Sequence, residues 1–285
     1  MSALRRNLVV GLLISAALAA VVLMAQALPE PLGIDWRLTY RPAAQAVLRG
    51  QNPYTSSVAP QAPFFAAPWG LLPLMPLVLL PARIGRVFVM LGGLLAFAYT
   101  AIRLGAKPLS LALFLLSPPV MHCILNANIE WLPLLGFVLP PPVGMLFIAV
   151  KPQTGFAVGV FWLVEAWRKD GWRGVVRLSA PVSLAFLASF VLYGLWPLRL
   201  LQAPAAGVEV NSSLWPISIP IGLALLVTAI QKRQIAFAMP ASPCLSPYVL
   251  FHAWSSAVIA LVGQPLQLAA VVIGLWIAVG LRAIG

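Results

Sequence analysis

The stretch "QIAFAMPASPCLSPYVLFHAWSSAVIALVGQPLQLAAVVIGLWIAVGL", residues 234–281, runs for 48 residues without one charged side chain. A membrane-crossing helix takes about 20 apolar residues, so this window is long enough for two. The rest of the chain has the same character. Of its 285 residues, 61% are hydrophobic and 8% charged, where a soluble domain carries about 25% charged residues. Other uncharged windows are Asn7–Pro29, Gly50–Ala82, Pro108–Ile129, Trp131–Val150, Leu178–Leu198 and Val210–Gln231, with shorter ones at Val87–Ile102 and Pro152–Val164. They predict an all-α polytopic bundle of about ten transmembrane helices, forming one transmembrane domain over residues 1–285. The runs are too long and too evenly apolar for the alternating strands of a membrane barrel.

The opening "MSALRRNLVVGLLISAALAAVVLMAQAL" starts basic like a secretory signal. Its apolar run exceeds the usual span of roughly 7–15 residues, and it reads as a retained first helix. The net charge is +12, and eleven of the eighteen basic residues fall at Arg5/Arg6, Arg83/Arg86, "WRKDGWRGVVR" (167–177), "QKRQ" (231–234) and Arg282. With the N-terminus cytoplasmic, these clusters share the inner side of a cell membrane. Residues 29–62 then form the first extracytoplasmic loop, helix two near Phe64–Leu80 returns to "PARIGR", and 197–213 form a second outer loop. A last bend lies near "FHAWSS" (251–256). No basic run is interleaved with exposed aromatics, which excludes a nucleic-acid reading. Cys123 and Cys244 have neither metal nor redox spacing.

Between Arg86 and Lys151 two arrangements compete. Either Val87–Ile102 spans and puts "HCILNANIE" (122–130) inside, or "LPPP" (139–142) breaks Trp131–Val150 into a hairpin and puts it outside. Many of the 27 prolines lie inside apolar windows. Broken backbone at membrane depth is tolerated where it is buried in protein or lines a cavity, which predicts a bundle with a cavity.

Asp35 stands just beyond the first window, with Arg37, Arg41 and Arg49 near it in sequence. A carboxylate there suits a general base, and arginine forks suit a phosphate or diphosphate. The alternative is that Asp35 pairs with an arginine and orients the loop. Opposite charges nearby would also hold its pKa down. Lys151, in "AVKPQTG", is either a phosphate ligand or a snorkelling anchor. Asn126, Asn128 and Glu130 form a polar cluster whose alternative is loop capping, and Asn211 to Ser213 suit a helix cap. His122 and His252 are too isolated in sequence for a metal site. Phosphate-cradling glycine loops, dinucleotide fingerprints, nucleophile elbows and zinc spacings are all missing.

Taken in order, these pieces resemble the C-type integral membrane glycosyltransferases, and among them glycosyltransferase family 87, the polyprenyl-phosphate-mannose-dependent alpha-mannosyltransferases. The matching elements are Asp35 after helix one, Tyr40, Gly50 with Tyr54, and the proline-rich "PWGLLPLMPLVLLP". Further matches are "NANIEWLPLLGF", "AVKPQ", "NSSLWPI" and "CLSPYVLFHAW". The chain is shorter than the family pattern, and Ala127-Asn128 replaces a Gly-Gln or Gly-Asn pair. The resemblance implies an active site in the first outer loop. There Asp35 would be the catalytic base, and Arg37, Arg41, Arg49 and Lys151 would bind the donor phosphate. Tyr40, Tyr54, Asn128, Glu130, Gln153, Asn211, Ser213 and His252 would contact substrate. It implies transfer of a sugar, mannose in that family, from a polyprenyl-phosphate donor to a lipid or glycan acceptor at the outer face. It calls for no cofactor besides the lipid-linked sugar and leaves a divalent metal open. The alternative is a non-enzymatic lipid or solute transporter, or a membrane scaffold subunit, on the same fold.

Overall fold

The computed structural model describes residues 15, 16, 18–200 and 210–284. The start of the first expected helix and residues 201–209 of the second expected outer loop lie outside the described residues. Helices take up 73% of the structure, and no strand occurs among the described residues beyond an isolated bridge between Asn211 and Leu250. Apolar segments without water must satisfy their own backbone, which favours helices.

The chain opens with α1 (Leu18–Ala27), a π-helical turn (Trp36–Tyr40), α2 (Arg41–Leu48) and a 3₁₀ segment (Pro68–Leu79). The middle holds α3 (Ala82–Arg103), α4 (Pro108–Leu115), α5 (Pro118–Leu125), α6 (Trp131–Gly136), α7 (Pro141–Ile148) and α8 (Pro152–Tyr193). After α9 (Pro197–Leu200) come α10 (Ile219–Lys232), α11 (Ile235–Cys244), a 3₁₀ turn (Phe251–Trp254), α12 (Ser255–Ile259) and α13 (Pro265–Ile284). Three helices, α3, α8 and Pro265–Arg282 of α13, are long and apolar enough to cross a membrane. The pair α4–α5, bent by 58°, makes a fourth span if read as one broken helix.

Helix α8 is two arms. Gly171 adopts φ 58°, which only glycine takes freely. A Cβ on Gly174 would collide with the Ala166 carbonyl, a residue far away along a continuous helix but adjacent once the chain folds back. Tyr193, at the end of the second arm, accepts a hydrogen bond from Asn52 of the first loop, so the second arm returns to the end where the first began. The molecule therefore has a loop end, with Asp35, Asn128, Lys151 and His252, and a far end. The far end gathers the "LPPP" break, the Gly171 turn and Arg233, which pairs with Glu165 at 2.8 Å.

The expected second helix is corrected. Residues 51–67 are irregular, and Pro73 and Pro76 inside the apolar window leave only a 3₁₀ segment there, because each ring removes a helix donor. This segment does not carry the chain to the far end. The Trp36 indole donates to the Ala82 carbonyl at 2.9 Å, and Arg83 meets Glu30 at 2.7 Å. Arg86, 4% exposed, donates to the carbonyls of Leu28, Pro29 and Leu32. A cation there neutralises the negative end of α1. Gly33, at φ 73°, leaves room for the Arg86 stem, which a Cβ would strike. Arg83 and Arg86 thus share the end of Asp35 instead of facing it across the membrane.

With that crossing gone, α3 runs away from the loop end and α4–α5 returns. The prolines at 140–142 break 131–150 into the α6–α7 hairpin, so "HCILNANIE" and Lys151 both lie at the loop end. The last window turns at Phe251–Trp254, where the sequence places its bend. The short windows grow rather than shrink: Val87–Ile102 becomes the 22-residue α3, and Pro152–Val164 extends to Gly171. One apolar core joins Phe97, Phe114, Leu134, Trp162, Leu178 and Leu268. A second, of Trp36, Tyr40, Tyr54, Phe64, Leu71 and Trp196, packs the first loop.

Candidate functional site

Two backbone bonds fasten the first loop to the end of α5. The Gly33 amide donates to Leu125 at 2.7 Å and the Asp35 amide to Asn126 at 3.1 Å. The Asp35 side chain is thereby set against "NANIE", and Asn128 Nδ2 donates to Asp35 Oδ2 at 2.6 Å. The Asn128 carbonyl oxygen accepts from Lys151 Nζ at 2.7 Å and from the Glu130 amide at 3.0 Å. Lys151 Nζ also donates to Glu130 Oε2 at 2.8 Å, and the Thr154 hydroxyl donates to Glu130 Oε1. His252 Nε2 lies 3.4 Å from Glu130 Oε2, and the His252 and His122 rings stack with centroids 5.6 Å apart.

Local sequence explains this placement. Lys151 is the extended residue before α8, and Pro152 occupies the first helical position, where its missing donor costs nothing. Thr154 follows on the first turn. Ala127 takes φ 52°, a left-handed conformation that is costly for a residue with a Cβ. It stands where the resemblance expects glycine. This backbone turn brings the Asn128 amide inward, and such outliers concentrate at working sites.

Glu130 is fully buried and Lys151 is 4% exposed, so their charges are compensated inside the protein. Asn128 bridges this pair to Asp35, with its NH₂ on the carboxylate and its oxygen on the ammonium. Asp35 is only half-buried, and Asn128 is the one side chain on its carboxylate among the described residues. Its other carboxylate oxygen is left to accept a proton. Burial raises the Asp35 carboxyl above the usual carboxylate range, and the Asn128 hydrogen bond and the Lys151 charge only partly offset this. The expected lowering by arginines is therefore corrected.

None of the three arginines pairs with Asp35 among the described residues. Arg37 reaches Glu30 at 3.6 Å, Arg41 is half-buried with a buried, unpartnered Nε, and Arg49 is exposed at the end of α2. Tyr40 is buried edge-on to Phe64 and close to Lys151 and Asp35. The Tyr54 hydroxyl donates to Ala66 at 2.7 Å and its ring stacks on Trp196 at 5.5 Å. Gln153 is half-buried on the first turn of α8. Asn211 and Ser213 bind Pro247, Val249 and Ser246, stapling 210–213 to the loop that carries His252. Sequence reasoning thus marked Asp35, Asn128, Glu130, Lys151 and His252, which the fold brings together. It passed over His122, Thr154 and Arg86. The two histidines are 130 residues apart, so no local spacing pointed to their contact. Thr154 carried a signal, one turn beyond Lys151 in "KPQT".

Among the described residues no three His, Cys, Asp or Glu side chains converge on a metal position. The chain matches no family model, no curated protein and no solved structure.

Proposed function

We propose that the protein is a membrane glycosyltransferase that moves a sugar, mannose if the resemblance to family 87 extends to the donor, from a polyprenyl-phosphate donor to a lipid or glycan acceptor. The observation that carries this reading is the largely buried but still accessible Asp35 carboxylate, held on one oxygen by Asn128 beside a buried Lys151–Glu130 pair. Asp35 takes the proton of the acceptor hydroxyl, the oxygen attacks the anomeric carbon, and the lipid phosphate leaves with the electrons of the broken glycosidic bond. A base with a raised pKa accepts that proton more strongly than an ordinary carboxylate. Arg41 and Arg49, which have no carboxylate partner among the described residues, hold the phosphate, and Arg37 joins them by releasing Glu30. Lys151, whose own charge is balanced by Glu130, fixes Asn128 and through it the Asp35 carboxylate, so the expected direct phosphate contact of Lys151 gives way to a positioning role. A polytopic bundle of about ten helices, counting the short hairpin arms that do not cross, with this end extracytoplasmic and the N-terminus in the cytoplasm of a cell-membrane protein, belongs to the same reading.

A second reading is favoured by the closure of the Glu130 cluster. Lys151, Thr154 and Asn128 satisfy one another around it, as in a pin that locks the α5–α6 and α7–α8 turns. A scaffold or transporter needs nothing more from these residues. The deciding experiment gives purified protein in lipid labelled polyprenyl-phosphate-mannose and measures transfer or slow donor hydrolysis. Turnover supports the enzyme; silence across several lipid-linked sugars supports the pin.

A further inference from the structure

The far end holds a cavity of about 440 Å³ lined by Pro141, Pro142, Trp162, Leu178 and a ring of charges. Its origin is geometric. The hairpin arms α6 and α7 have 6 and 8 residues, about 9 and 12 Å of helix, against a hydrocarbon core of about 30 Å. The hairpin stops short of the far face, and the two arms of α8, with Arg233 at the end of α10, wall the space beneath it. Glu165, Lys169, Asp170, Arg177 and Arg233 rim the mouth, three cations to two carboxylates.

The cations are not equally engaged. Arg233 is held by Glu165 at 2.8 Å, Arg177 reaches Asp170 only loosely at 3.6 Å, and Lys169 has no ion pair among the described residues. Two flanking tryptophans fix the level of the mouth. Trp167 and Trp172 are 59% and 68% exposed, and large indoles on the outside of a membrane bundle sit at the headgroup layer. An apolar floor of proline, Trp162 and Leu178 beneath a cationic rim at headgroup depth matches an amphiphile with an anionic head.

We propose that this cavity binds the phosphate ester of an anionic bilayer lipid, its phosphate between Lys169 and Arg177 and its glycerol and first acyl carbons over Trp162 and Leu178. The site is independent of the Asp35 cluster, which lies at the opposite end, so the two assignments stand or fall separately. Each basic side chain contributes about a factor of five to headgroup affinity.

The test titrates detergent-purified full-length protein with short-chain phosphatidylglycerol and short-chain phosphatidylcholine by calorimetry. The variants are the wild type, the double variant Lys169→Gln/Arg177→Gln, and Arg199→Gln as a basic control at the loop end. The expected result is preferential phosphatidylglycerol binding that weakens about 30-fold in the double variant and is unchanged in Arg199→Gln. Inorganic phosphate is then added as competitor. Retained binding at millimolar phosphate identifies a bilayer lipid as the source, and full displacement assigns the site to free phosphate, overturning the lipid. Equal affinity for the two lipids, or equal binding by wild type and double variant, overturns the site itself. Both substituted residues are exposed, so the variants fold, and matching thermal unfolding of all three proteins verifies it.

Discussion

The two ends of the molecule use the same ionic side chains in opposite ways. At the loop end Glu130 and Lys151 are buried and joined at 2.8 Å, and their remaining polar atoms meet Thr154 and Asn128. At the far end Glu165 meets Arg168 and Arg233 at similar distances, but those arginine side chains are 40% and 61% exposed. Equal distances therefore carry unequal consequences. Removing one member of a buried pair strands a charge that water cannot reach, whereas an exposed pair exchanges its partner for solvent. The loop end has spent stability on a fixed arrangement, and the far end has kept its cations available.

That contrast is most easily broken at Lys151. Lys151→Met should destabilise the protein by about 3–5 kcal/mol, measured by thermal or denaturant unfolding in detergent. Adding Glu130→Leu should restore most of it, because both charges then disappear together. A single variant as stable as wild type would mean that water reaches the pair. Arg41→Gln tests the open cation beside the site. It should raise the apparent KM for donor about tenfold with little change in kcat, since it loses one charged hydrogen bond. Ala127→Gly relieves the left-handed backbone and should stabilise by about 0.5–1 kcal/mol, its strain relief partly offset by glycine's greater freedom when unfolded. At the far end, Glu165→Gln should cost no more than about 1 kcal/mol in the same unfolding assay. A loss as large as that of Lys151→Met would erase the distinction between the ends.

The sequence makes the helical membrane character plain, since long uncharged windows have few other solutions. It misleads where charge is taken as topology. Arg86 reads as a positive-inside marker, yet its guanidinium is buried on the carbonyls that end α1, a contact 54 to 58 residues away in the chain. Proline density carries the opposite lesson. The prolines of "PWGLLPLMPLVLLP" already argue against an α-helical span there, and those of "LPPP" mark the hairpin turn. At the site, Asp35, Asn128, Glu130 and Lys151 stand out as rare polar residues in apolar surroundings. Their partners do not. None of the three arginines close to Asp35 in sequence pairs with it, and the ammonium whose charge acts on it comes from the start of α8. Charges separated by a few residues on a turn diverge, whereas a fold can bring distant ones within 3 Å.

The most direct test of the catalytic reading compares wild type and Asp35→Asn for transfer from labelled polyprenyl-phosphate-mannose, with unfolding measured on the same samples. With Asp35 as the base, the rate falls about 10²–10⁴-fold with stability intact. The wild-type rate also shows an acid limb above the ordinary carboxylate pKa of about 3.9. Burial raises the Asp35 pKa, so the base is lost to protonation earlier as pH falls. Equal turnover by the two proteins would rule out Asp35 as the base and leave its cluster as a structural pin.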